Sequence, residues 1–201
     1  MATNSETEAK LSGLIEAMAA NAHSRARPSF LWGEKLAAGA IAGIVATILM
    51  MGALMAYSGT IGAGVWMPLK TLAGLIYGVE ALVAGAGAIT TGAGIQLGFS
   101  VALGVLFGLA TSRRTSRILA LCAGVAIGIA IWAAMGLYVL PVLDPTMAAR
   151  IGLMPVMYFV AHVLFGIGLG ITPFLVHALS RRRVHEIPHL EDPRGTSADL
   201  S

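Results

Sequence analysis

The run GAGIQLGFSVALGVLFGLAT (Gly92–Thr111), closed by SRRTSR over 112–117, decides the fold. Twenty residues pass without Asp, Glu, Lys or Arg, and then three arginines arrive within six positions. At 1.5 Å per residue such a run crosses a hydrocarbon core of about 30 Å as a helix. Its apolar residues do not alternate with polar ones, so a strand of a membrane barrel is excluded. In lipid only helices and closed barrels satisfy their own backbone, and a helix is what remains.

Working outward, three more charge-free runs of the same kind appear. They are Leu36–Tyr57, Ile118–Leu140 and Val156–Leu179, with 22, 23 and 24 residues. The expected fold is therefore all-α, a four-helix transmembrane bundle with spans over 36–57, 92–111, 118–140 and 156–179. Residues 1–35 read as a polar N-terminal segment and 181–201 as a polar, disordered tail, with the bundle over 36–180. Composition agrees. Across 201 residues, 57% are hydrophobic and 11% charged, and mean hydropathy is +0.81. A soluble domain carries about 25% charged residues to face water.

The net charge of +3 marks orientation rather than a nucleic-acid surface. With the N-terminus in the cytoplasm, eleven of the 13 basic residues lie inside, and only Lys70 and Arg150 lie outside. The positive-inside rule thus places both termini in the cytoplasm. No signal peptide precedes the first run, which is expected to stay as an anchor.

Two flanking segments have their own character. Leu11, Leu14, Ile15 and Met18 recur at helical spacing behind a Ser5/Glu8 capping box, which predicts a short amphipathic helix. The connector Ser58–Thr91 is long for a loop. Pro68 opens a helical pattern, Ala84–Ala88 favours a bend, and Lys70 and Glu80 are its only charges. This predicts an interfacial or re-entrant helix between the first two spans. The second connector, 141–155, holds the turn signals Leu140-Pro141 and Asp144-Pro145.

Each span carries small or polar residues four apart, hence on one face. They are Gly39, Gly43, Thr47 and Met51; Gly92, Gln96, Ser100, Gly104 and Gly108; Gly124, Gly128, Trp132 and Gly136; and Tyr158, His162, Gly166 and Gly170. Glycines on such a face let helix backbones approach, which lipid by itself gives them no hydrophobic reason to do. Gly39, Gly43, Gly104, Gly108, Gly124, Gly128, Gly166 and Gly170 are therefore the expected packing residues. A faint repeat pairs Ala42-Gly43 with Ala123-Gly124, Met51-Gly52 with Met135-Gly136, and Met67-Pro68 with Met154-Pro155.

Within this greasy frame His162 stands out, because an ionisable side chain in a span is a functional candidate by default. Gln96 enters at a similar depth and is a natural hydrogen-bond partner. With Ser100 and the connector's Glu80 they form the candidate intramembrane polar site. Cys122 reads as a small packing residue. Trp32, Tyr57, Trp66, Tyr77 and Tyr158 read as an interfacial aromatic belt. His185 and His189 are four apart on the tail and read as solvated rather than as a metal pair.

No phosphate loop, Gly-x-Ser-x-Gly elbow, His-Glu-x-x-His or Cys-x-x-Cys is present. No catalytic residue, cofactor or metal is expected. Two functions remain in view. The first is a non-enzymatic subunit that packs with itself or with other membrane subunits in the lipid bilayer, without nucleic acid, since four glycine-faced helices leave little room for a private cavity. The alternative is a small transporter or channel for an ion or small solute, working as an oligomer.

The motif Gly92-x3-Gln96-x3-Ser100-x3-Gly104, the Leu140-Pro141…Asp144-Pro145 connector and His162-x3-Gly166-x3-Gly170 resemble those of small uncharacterised four-helix bacterial membrane proteins. A more distant likeness is to the YagU-type inner-membrane proteins. Gln96 stands where that pattern often has histidine, which counts against a paired-histidine metal or proton site. The resemblance implies a prokaryotic inner membrane and carries no activity.

Overall fold

In a computed structural model, the backbone of residues 3–111 and 115–186 is described, with side chains over 11–18, 32–111 and 115–179 apart from Thr146. Among the described residues all regular structure is helical. Four stretches are long and apolar enough to cross a membrane: Trp32–Thr60, Ala86–Ala110, Arg117–Leu143 and Pro155–Leu179. The chain is a multi-pass membrane protein.

Helix α1 runs unbroken from Thr3 to Thr60 and contains the first span. The predicted amphipathic patch is thus part of a longer helix, and Leu11, Leu14, Ile15 and Met18 are all exposed along it. A turn follows in which Gly62 and Gly64 hold φ of 72° and 97°, a left-handed backbone that suits glycine. Helix α2 (Met67–Tyr77) starts with Pro68, whose missing N–H costs nothing in a first turn. It ends at Gly78, and a 3-10 turn over Gly78–Leu82 leads to the bend before Gly85.

Helix α3 (Ala86–Ala110) begins six residues before the predicted span, with Thr90 bonded back to the carbonyls of Ala86 and Gly87. Helix α4 (Arg117–Ala134) is capped by Ser116, whose side chain accepts the Leu119 N–H at 3.2 Å. It continues through a wide π-type turn, Met135–Val139, into the short α5 (Leu140–Leu143). Pro141 explains the widening. It has no N–H to donate, and its ring would strike the carbonyl four residues back, so the helix takes up one extra residue there.

Asp144 caps the next helix, α6 (Pro145–Leu153), by accepting the Met147 N–H at 2.9 Å. Helix α7 (Pro155–Gly170) and helix α8 (Thr172–Glu186) make the fourth span, broken near Ile171. Thr172 closes that break with a 2.6 Å bond to the Leu169 carbonyl. The tail expected to be disordered over 181–201 is thus helical as far as Glu186. Arg113, Arg114, His189 and the rest of the tail lie outside the described residues, as do the side chains of His185 and Arg181–Arg183.

Packing runs in the order α3, α1, α7, α4. α1 packs on both α3 and α7, α7 packs on α4, and α3 and α4 make at most marginal contact. Glycine makes the close approaches. A Cβ on Gly43 would overlap the Ser100 carbonyl, and one on Gly39 would overlap Gly104. Gly124 meets Gly166, and Gly128 meets the His162 carbonyl. Gly108 rests on Lys35 and Gly170 on Leu121, while Gly168 touches Ala46 across the α1–α7 contact. Two sequence readings need correction. Cys122 is exposed on the outer face of α4 rather than packed inside. Tyr158 is buried at 9% exposure rather than sitting in an outer aromatic belt, because its helix turns it towards the core.

Candidate functional site

The arc of four spans leaves a slot between α3 and α4, floored by α1 and α7. It encloses a cavity of about 210 Å³. The floor is Met50, Met51 and Leu54 from α1 with Tyr158, His162 and Phe165 from α7. α3 supplies Ile95, Gln96, Phe99, Ser100 and Leu103, and the α4–α5 rod supplies Ile131, Trp132, Met135, Gly136, Val139, Leu140 and Leu143. One end is roofed by Pro68, Leu72 and Leu75 of α2 and by Met147 and Ile151 of α6. Phe99, Leu75 and Leu143 are exposed at the rim, so the slot opens sideways, between α3 and the α4–α5 rod.

Three of the four sequence candidates therefore line one cavity. Gln96, Ser100 and His162 are 9%, 1% and 8% exposed. Gln96 Nε2 donates to Ser100 Oγ at 3.1 Å and approaches Met50 Sδ at 3.7 Å. His162 does not bond Gln96. Its Nδ1 lies 2.8 Å from the Tyr158 carbonyl one turn earlier, which accepts, so Nδ1 carries the hydrogen. In the neutral ring Nε2 is then an acceptor, and no residue described here bonds it. The expected side-chain pair is replaced by two local arrangements, one on α3 and one on α7.

Glu80 is elsewhere. It sits exposed on the 3-10 turn and lines no part of the cavity. Lys70 does not meet it either, since its Nζ reaches the Leu82 carbonyl at 3.5 Å. Ten residues of helix would in any case set the two charges about 15 Å apart along its axis.

Several wall residues escaped the sequence reading. Met50 belongs to a second four-residue series on α1, Ala38, Ala42, Ala46 and Met50, all buried. The same series begins at Glu34, a carboxylate only 4% exposed that makes its own polar interactions. A window defined by absence of charge stops short of it, although its four-residue register with Ala38 was readable. Trp132 packs edge-on against Phe159 at 5.3 Å, and its Nε1 is buried without a hydrogen-bond partner. The expectation that glycine-faced helices leave little room for a cavity is also corrected. Glycines draw α1 to α3 and α4 to α7, but nothing draws α3 to α4.

The two close pairs repeat each other. GAIAG (39–43) and GVAIG (124–128) face SVALGVLFG (100–108) and HVLFGIGLG (162–170) through matching contacts. In this register Gly43 corresponds to Gly128, four residues on from the pairing that Ala-Gly dipeptides suggested. Ser100 corresponds to His162, and Gln96 to Tyr158. The polar side chains of the cavity are thus counterparts in two similar halves.

No curated protein and no solved structure matches this chain. A family model, described as a family of unknown function (DUF6789), matches residues 33–185, which takes in all of the four spans but Trp32 and every cavity residue. The chain belongs to that family.

Proposed function

We propose that the protein is a non-enzymatic component of a prokaryotic cytoplasmic membrane, with both termini cytoplasmic, that takes a small, mainly apolar solute from the bilayer into the slot between α3 and α4. The observation that carries this reading is the cavity itself. It is closed on its floor by tightly packed helices, open sideways, and walled almost wholly by apolar groups with one polar corner. Ligand sites have this character, largely apolar with a few placed polar groups. The π-type turn at Met135–Val139 borders it, and such turns are frequent at functional sites.

The non-enzymatic part rests on how the polar groups are engaged. The Ser100 hydroxyl is held by Gln96 and the His162 ring by its own helix, so they form no nucleophile–base pair. The orientation rests on the eleven-to-two distribution of basic residues.

The test is equilibrium binding of ethylbenzene to lipid nanodiscs with and without the protein, the empty discs correcting for partition. Excess binding is expected with the wild type and is lost in Leu103→Trp, which fills the slot. Equal uptake by loaded and empty discs overturns the reading.

A second role, association with a further copy or with other membrane subunits, is favoured by outward-facing small residues. Gly94 and Gly98 of α3 are exposed with nothing near their absent side chains, and Cys122, Ala126 and Ala130 form a similar line on α4. Cys122 is the single cysteine. Bis-maleimide crosslinking in native membranes gives a dimer if α4 meets its copy, and monomer alone counts against self-association through that face.

A further inference from the structure

We infer that the cavity's ligand is a single-ring or similarly small apolar molecule bearing one hydroxyl, phenol-like, whose O–H donates to His162 Nε2. This rests on the proposed solute-binding reading and narrows it to a chemical class.

Size comes first. An apolar cavity of about 150 Å³ holds benzene. The present volume of about 210 Å³ leaves room for such a ring and a short substituent. Four methionines, Met50, Met51, Met135 and Met147, make the wall deformable, which suits an apolar body without a fixed outline.

Polarity selects the head. The hydrogen on Nδ1 is committed to the Tyr158 carbonyl at 2.8 Å, which turns the remaining ring nitrogen of neutral His162 into an acceptor. An acceptor in apolar surroundings is satisfied by a donor, not by another acceptor. Gln96 and Ser100 are already bonded to each other, which leaves two unpaired ring nitrogens on residues that line the cavity, the His162 Nε2 acceptor and the Trp132 Nε1 donor. A single hydroxyl, which both donates and accepts, suits such a pair, and a molecule with several polar groups would leave some of them unpaired against the methionine and leucine wall. Entry is from the lipid side, past the exposed Phe99, so the molecule must dissolve in the bilayer.

The test uses three probes on the intact chain in nanodiscs: para-ethylphenol, its isomer para-methylanisole, which accepts but cannot donate, and ethylbenzene. Partition into empty discs is subtracted. para-Ethylphenol is expected to bind about ten-fold more tightly than para-methylanisole, the gain of one buried hydrogen bond. The preference disappears in His162→Phe, which keeps the ring and removes the acceptor. As a readout on the wild type, nitrogen NMR of labelled histidine shows the His162 Nε2 resonance moving with para-ethylphenol and staying with ethylbenzene. Equal binding of all three probes overturns the hydroxyl inference and leaves the solute-binding reading standing. Tighter binding of para-methylanisole also overturns it, since a donor on the wall, the His162 ring or Trp132 Nε1, would then hold the ligand. Absence of binding by all three overturns the inference and the reading together.

Discussion

Ser100 and His162 occupy equivalent places in two similar helix pairs: the carbonyl of Ser100 is the surface against which Gly43 packs, and the carbonyl of His162 is the surface against which Gly128 packs. Each backbone is pinned by a glycine on the neighbouring helix, and each side chain reaches the same cavity. Two of the close points of the bundle therefore sit directly beside the cavity. Close packing fixes the depth of the polar groups, and the unpacked α3–α4 side supplies the space.

Glycine substitutions should separate by contact rather than by sequence motif. Gly43→Ala and Gly128→Ala force backbones apart and are expected to destabilise by about 1–3 kcal/mol, the usual cost of overpacking. Gly94→Ala, where the added Cβ meets nothing, should cost nothing and can gain up to about 1 kcal/mol of helix propensity. Reversible unfolding in mixed micelles measures all three, and equal losses would contradict the packing described.

Gln96→Leu removes the bonds to Ser100 and Met50 Sδ. Interhelical and intramembrane hydrogen bonds average about 0.6 kcal/mol and reach about 1.7. A loss within that range is expected in the same unfolding measurement. A loss several times larger would mean that Gln96 holds the bundle together rather than lining its cavity.

Pro141→Ala should trade binding for stability. Without the proline the helix can close its ordinary ladder, and the wide turn at Met135–Val139 is expected to rewind, rotating the following residues by about 100°. The unfolding midpoint rises while ethylbenzene binding falls. Unchanged binding would show that the turn does not shape the cavity.

Lys35 donates to the Leu109 carbonyl at 3.4 Å, in the last turn of α3. A cation there complements the helix dipole, worth about 0.3–1 kcal/mol. Lys35→Met is expected to lose that amount, and high salt should reduce the difference between wild type and variant.

Orientation has its own check. A cysteine introduced by Arg114→Cys in a Cys122→Ala background is expected to react with an impermeant maleimide only from the cytoplasmic side. Labelling from outside reverses the assignment of both termini.

The number of spans, and which residues share a face, were legible in the sequence because both are local properties. Twenty apolar residues span whatever their neighbours do, and Gly39 and Gly43 lie on one stripe in any helix. The candidacy of His162, Gln96 and Ser100 came from the same logic, as polar groups are costly in lipid and so conspicuous. What only the tertiary structure decided is which stripe meets which. Periodicity orients a helix about its own axis but does not name its partner. The α3–α1–α7–α4 order and the slot it leaves, the burial of Tyr158 and Glu34, and the exposure of Cys122 therefore appear only when the helices are assembled. Glu80 belongs to the same lesson: its charge was visible in the sequence, but its distance from the cavity was set by the turn after α2.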